Sequence, residues 1–118
     1  MNTHAKEYYA NNAAAMTPVR EAMSNLIKGF GALHHGAMQS SALSNREKEL
    51  IALGIGIAVR CENCIYAHVQ AALKSGATRE QIIDAAGVAV MMGGGPTYTY
   101  LPRVFEALDA LNQTREAI

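Results

Sequence analysis

Two cysteines stand close together in Cys61-Glu62-Asn63-Cys64, and His68 follows four residues after the second. At about 100° per residue, positions i, i+3 and i+7 fall on one face of a helix within a narrow arc. Cys61 then sits at the first turn, where unpaired N–H groups and the helix dipole favour a thiolate. An imidazole one turn from Cys64 can take a thiol proton or stabilise the anion that remains. Two thiols at this spacing can close to a disulfide and reopen. These are the requirements of a dithiol redox centre. A structural disulfide is a poor reading, because so short a loop restricts little of the unfolded chain. In a reducing compartment a close pair reads as redox-active or metal-binding.

Glu49 adds a proton carrier. It lies early in the preceding helix, where that helix turns from polar to wholly apolar. A carboxylate on such an edge is costly without a partner or a task. If the two helices pack antiparallel, Glu49 faces the cysteines or His68 and can serve as the acid–base end of a proton relay. The blander alternative is an ion pair with Arg46 or Lys48.

Other chemistries fit less well. Two buried small hydrophobes would explain the cysteines without function. A closed zinc site needs four ligands, and His34 or His35 would have to complete Cys61, Cys64 and His68. Haem attachment needs His directly after the second cysteine, where Ile65 stands instead. His34 and His35 read as residues that complement a helix C-terminus. Tyr66 reads as packing. Gly93-Gly-Gly-Pro96 lacks a phosphate-loop pattern and reads as a turn that admits close helix packing.

The elements that must position these groups are helices. His4 to Ala15 is an Ala-rich helix candidate. Thr17 is expected to cap the next helix, with Pro18 at its first position. That helix carries Val19, Met23, Leu26, Ile27 and Phe30 at helical spacing and is expected to run out in Gly29, Gly31 and Gly36. Ser44-Asn-Arg-Glu47 forms a capping box. The helix it opens, through Val59, is apolar on every side after its first turn and is expected to be buried all round. A chain of 118 residues can hardly do that alone, so a homo-oligomer is expected. Gly54 and Gly56 cost helix propensity, which close approach of a neighbouring helix would offset.

Arg60-Cys61 ends or bends that helix. A further helix spans Glu62 to Lys74 and stops at Ser75-Gly76. Thr78-Arg-Glu-Gln81 is a second capping box, followed by an inner face of Ile82, Ile83, Ala86, Val90 and Met91. The last helix covers roughly Thr97 to Asn112, with Pro102 starting its main body or kinking it. No strand-period alternation competes.

Composition agrees. The 118 residues suit one domain, 1–118, and are 50% hydrophobic but only 6% aromatic, without Trp. That palette favours helix-on-helix packing over a β-sandwich. Net charge is zero. No basic tract points to nucleic acid and no basic amphipathic stretch to a membrane surface. The apolar run from Leu50 to Val59 is too short to span a bilayer. No signal peptide is recognisable, so a cytoplasmic location is the expectation.

Glu49, eleven residues, Cys61-Glu-Asn-Cys64, three residues, His68, then Gly76-Ala-Thr78 and Gly93-Gly-Gly-Pro96, together resemble the alkylhydroperoxidase D-like branch of the carboxymuconolactone decarboxylase family. The resemblance covers about Phe30 to Leu108. It implies a compact all-α helical bundle completed by oligomerisation, often a trimer or hexamer. It also implies peroxidase or disulfide reductase activity. In that scheme Cys64 attacks the peroxide, Cys61 resolves the sulfenic acid, and Glu49 and His68 relay protons. Helix-dipole reasoning alone favours Cys61 as the more acidic thiol.

Asn63 stands where the best-studied peroxidases of the family carry His, so one proton-transfer group is missing. The cysteine pair argues against lactone decarboxylation. The expected partners are a small hydroperoxide, a thiol or dithiol reductant and further copies of the chain; no metal or organic cofactor is required. Two rivals stand beside this expectation. One is a lyase using Glu49 and His68 without thiol turnover; the other is a non-enzymatic redox-sensing assembly protein.

Overall fold

Capping and turn residues set the element boundaries in the structure, a computed structural model that describes residues 3–113. Among those residues there are eight helices and no strand. Thr3 caps α1 (His4–Ala15), its hydroxyl accepting the Lys6 amide. Met16 stays in the right-handed region, so α2 (Thr17–Ala22) follows almost without a break. Thr17 is therefore the first residue of α2 rather than its cap, and its hydroxyl accepts from Arg20. Pro18 lies in the first turn, where a missing N–H leaves no bond unmade.

Met23 breaks the helix, and α3 (Ser24–Met38) begins after it. The three glycines expected to end this segment lie inside α3, which runs on until Gln39 turns extended. The C-terminus of α3 is tied to the next helix. Asn45 donates to the Met38 carbonyl at 2.7 Å and Lys48 to the Gln39 carbonyl at 2.8 Å.

The capping box of Ser44 and Glu47 forms with both reciprocal bonds and opens α4 (Asn45–Ala58). Arg60, at φ 58°, turns the chain back sharply. After it comes α5 (Glu62–Lys74). Gly76 takes φ 96° beyond its end, and the Ala77 and Gly76 amides donate to the Ala72 and Leu73 carbonyls. Those two bonds satisfy carbonyls the helix end leaves open. Thr78 and Gln81 complete the second capping box at the start of α6 (Arg79–Gly93). Gly94, at φ 71°, leads into the short α7 (Gly95–Tyr98), and α8 (Leu101–Ala110) has Pro102 in its first turn. The final helix thus starts at Leu101, with Pro102 opening its main body, while Thr97 belongs to α7.

The core lies between α4, α5, α6 and α8, where Leu53, Ile57, Ile65, Val69, Ile82 and Val104 are fully buried. Each such side chain contributes about 1.5–3 kcal/mol of transfer free energy, which is how so few aromatics suffice. The expectation of burial all round α4 holds on one side only. Ile51 is 50% exposed and Ile55 59%, and together with Val88 and Met92 of α6 they line an apolar groove. Met91 also departs from its expected inward place and is exposed, while Ala89 is buried. On α3, Leu26, Phe30 and Leu33 are exposed as well. No helix among the described residues is long and apolar enough to cross a membrane.

Candidate active site: a disulfide beside a glutamate–histidine pair

The sharp turn at Arg60 sends α5 back along α4, so the two helices pack antiparallel. This brings Cys64 opposite Gly56 and His68 opposite Glu49. A Cβ placed on Gly56 would lie 3.2 Å from the Cβ of Cys64, closer than most real contacts. Gly56 therefore meets the expectation that a helix glycine here permits close approach. Gly54 does not meet it: a Cβ there would have only the Ala85 carbonyl near it, at an ordinary contact distance of 3.9 Å.

Cys61 and Cys64 form a disulfide. Cys61 is the N-cap of α5, and its sulfur accepts the Cys64 amide at 3.2 Å. Cys64 is the third residue of the helix. Both sulfurs thus lie where the open N–H groups of a helix start stabilise negative charge on sulfur.

His68, one turn further on, has Nδ1 2.7 Å from Oε1 of Glu49. The Glu49 side chain is 6% exposed and that of His68 22%. A carboxylate only accepts, so this bond holds the imidazole with its Nδ1 proton toward Glu49 and leaves Nε2 to exchange a proton elsewhere. All four residues singled out from sequence, Glu49, Cys61, Cys64 and His68, therefore lie along the α4–α5 contact.

Two further imidazoles join the neighbourhood. The His34 ring stacks on that of His68, with centroids 6.5 Å apart and planes 15° from parallel. Only His35 keeps the place expected of both, in the last turn of α3. No spacing rule links α3 to α5, and the sequence brought His34 toward His68 only as an alternative ligand in the disfavoured zinc reading.

His4 of α1 lies at the other end of the motif, its Nδ1 2.5 Å from Oε1 of Glu62. The same oxygen accepts the Tyr66 hydroxyl at 2.7 Å, and Arg103 Nε lies 4.0 Å from Oε2. The Tyr66 hydrogen bond, with smaller help from His4 and Arg103, holds the Glu62 carboxyl below the usual carboxylate range. Tyr66 is buried as expected of a packing residue, and burial followed by its bond to Glu62 pushes its phenol upward. Tyr9 donates to the Tyr66 carbonyl at 2.6 Å, and burial likewise raises its phenol. The Glu62–Tyr66 pair was missed from sequence, although its i, i+4 spacing could have signalled it; nothing in the sequence signals the His4 contact.

A cleft of about 690 Å³ opens between α1 and the first turn of α5. Cys61 and Asn63 line it, and Cys64 does not.

An all-helical chain with a Cys-x-x-Cys disulfide at a helix start and a buried Glu–His pair beside it is a defined class of protein, and comparison names the family. The chain belongs to the carboxymuconolactone decarboxylase family, whose model matches residues 25–112. It is 34% identical to a carboxymuconolactone decarboxylase family protein of Legionella pneumophila, with a TM-score of 0.78 over 95% of this chain and 96% of that one. A family protein of Thermotoga maritima, described as having a suggested part in an antioxidative response, is 29% identical, with a TM-score of 0.68 over 74% of this chain and 90% of that one. Protein 4 of the cox locus of Paracoccus denitrificans is 33% identical over 100 residues, which are 85% of this chain and 90% of that protein.

Proposed function

We propose that this chain is a thiol-dependent peroxidase and disulfide oxidoreductase of the alkylhydroperoxidase D-like type. The observation that carries the reading is one continuous line of groups: a disulfide-forming pair, then His68 one turn from Cys64, then Glu49 hydrogen-bonded behind His68. The antioxidative description of the Thermotoga relative supports it.

In the reduced protein the Cys64 thiolate attacks the outer oxygen of an alkyl hydroperoxide. The O–O bond breaks, the alkoxide takes a proton delivered through His68 and Glu49, and Cys64 becomes a sulfenic acid. The Cys61 thiol then displaces water from that sulfur and closes the disulfide. An external thiol or dithiol returns both cysteines to the reduced form. No metal or organic cofactor enters these steps.

The same reading takes residues 1–118 as one domain that works in the cytoplasm as a homo-oligomer, a trimer or hexamer. The exposed apolar groove of α4 and α6 and the exposed stripe of α3 support assembly. The test is steady-state consumption of an alkyl hydroperoxide with a dithiol as reductant, before and after alkylation of the thiols. Turnover that alkylation abolishes is expected. Alkylation-insensitive lyase activity, without peroxide consumption, would replace the reading by acid–base chemistry at Glu49 and His68.

A further inference from the structure

We infer that the cleft between α1 and the first turn of α5 binds the reductant, and that this reductant is a small thiol carrying an ammonium group. The inference rests on the proposed turnover of the disulfide.

One sulfur is offered to the cleft. Cys61 lines it, whereas Cys64 packs against Gly56 of α4. An incoming thiolate therefore meets Cys61. It forms a mixed disulfide there, and the electron pair of the broken S–S bond goes to Cys64, which is protonated through His68 and Glu49. A second thiol attacks the mixed disulfide at the sulfur of the first reductant. Cys61 leaves as a thiol and the reductant departs as its own disulfide.

The walls choose the charge. Two carboxylates, Glu7 and Glu62, line the cleft together with the amides of Asn11, Asn12 and Asn63, and no lysine or arginine is among the described lining residues. The Glu62 charge is partly countered by His4, and by Arg103 at 4.0 Å. Glu7 makes no side-chain hydrogen bond or ion pair with a described residue; its charge sits in the first turn of α1, where the helix dipole favours it. Such a surface attracts an ammonium, repels a carboxylate and offers amides for orientation. It does not suit an apolar alkyl hydroperoxide.

The α1 side of this wall lies outside the segment that the family model matches. Glu7, Asn11 and Asn12 lie upstream of residue 25, where the match to the family model begins. The Legionella structure aligns over 95% of this chain, so α1 belongs to the fold the two share; the later helices supply the redox pair, and α1 supplies the groups that select its thiol.

The experiment follows reduction of the full-length disulfide protein without peroxide, using cysteamine, 2-mercaptoethanol and mercaptoacetate. Each rate is divided by the thiolate concentration and by the rate for an unstructured Cys-x-x-Cys peptide. The expected order is ammonium, then neutral, then carboxylate, with cysteamine ahead of mercaptoacetate by about tenfold at low salt and less at high salt. Glu7→Gln is expected to shrink that ratio and Asn11→Asp to widen it, with helical circular dichroism unchanged. Equal normalised rates, or a ratio indifferent to both substitutions, would overturn the proposal. Peroxide consumption is measured separately. Charge selection without peroxide turnover would defeat only the peroxidase reading, and peroxide turnover without charge selection only this one.

Discussion

Gly56 of α4 and Cys64 of α5 touch backbone to side chain, and a Cβ at Gly56 would stand 3.2 Å from that of Cys64. This close approach lies on the same α4–α5 contact as the Glu49–His68 pair. Gly56→Ala adds about 1 kcal/mol of helix propensity while forcing the helices apart by a few tenths of an ångström. Its stability is expected to stay near that of the parent while the rate of thiol oxidation by peroxide falls. Gly56→Val is expected to cost about 1–3 kcal/mol. Urea unfolding and stopped-flow thiol oxidation measure the two effects separately.

Glu49 and His68 are 2.7 Å apart and are proposed to act as one unit. Glu49→Gln and His68→Asn are each expected to lower peroxide turnover by about 10²–10⁴-fold, and the double variant by little more than either alone. His34 only stacks on His68, so His34→Ala is expected to cost about tenfold or less, equivalent to about 1.4 kcal/mol. Additive losses in the Glu49–His68 double variant would mean that the two act independently.

Thr97 is buried, and a Cβ on Gly93 would overlap its side chain, coming within 2.8 Å of Thr97 Cβ. Gly93→Ala is therefore expected to destabilise the chain by about 1–3 kcal/mol despite the better helix former. Adding Thr97→Ala removes the nearest atom and is expected to restore part of the loss, which a double-mutant cycle in urea would show.

Helix existence and both capping boxes were legible because they depend on local pattern: Ser44 with Glu47, and Thr78 with Gln81. The Glu49–His68 pairing was legible as a condition, since antiparallel packing of two helices joined by a tight turn brings those positions together. The split at Met23 was not, because nothing local forbids a continuous helix there. Nor was the continuation of α3 through Gly29, Gly31 and Gly36, whose propensity cost does not end the helix. His34, His4 and the cleft depend on where α1 and α3 lie against α5, which is tertiary information. The exposed faces of α3, α4 and α6 are the counterpart of the all-round apolar pattern read in α4.

Stability is expected to fall at both ends of the pH scale for identifiable reasons. The Glu62 carboxyl is lowered in the folded chain, chiefly by the Tyr66 hydrogen bond. Its contribution is present above the unfolded value and is lost as pH falls through the folded one. Tyr9 and Tyr66 are raised above the ordinary 10.0, chiefly by burial. Their contribution is complete below that value and is lost as pH rises beyond it. Urea midpoints across pH are expected to show Glu62→Gln flattening the acid limb and Tyr9→Phe the alkaline limb. Limbs unchanged in these variants would assign the losses to other groups.

Assembly through the exposed apolar surfaces makes a separate prediction. Sedimentation of the parent chain is expected to give a species well above the 12.6 kDa of one copy. Ile55→Asp, with Ile55 59% exposed, is expected to shift it toward the monomer. A parent chain that sediments as a monomer at all concentrations would remove the oligomer from the account.

The intact mass of the fully reduced protein after one equivalent of an alkyl hydroperoxide decides whether the cysteine pair is a dithiol peroxidase. Dithiol peroxidase activity predicts rapid loss of two hydrogens in the parent chain, a gain of one oxygen in Cys61→Ser that a sulfenic-acid trap captures, and no rapid change in Cys64→Ser. Thiols that survive excess hydroperoxide in the parent chain would contradict it.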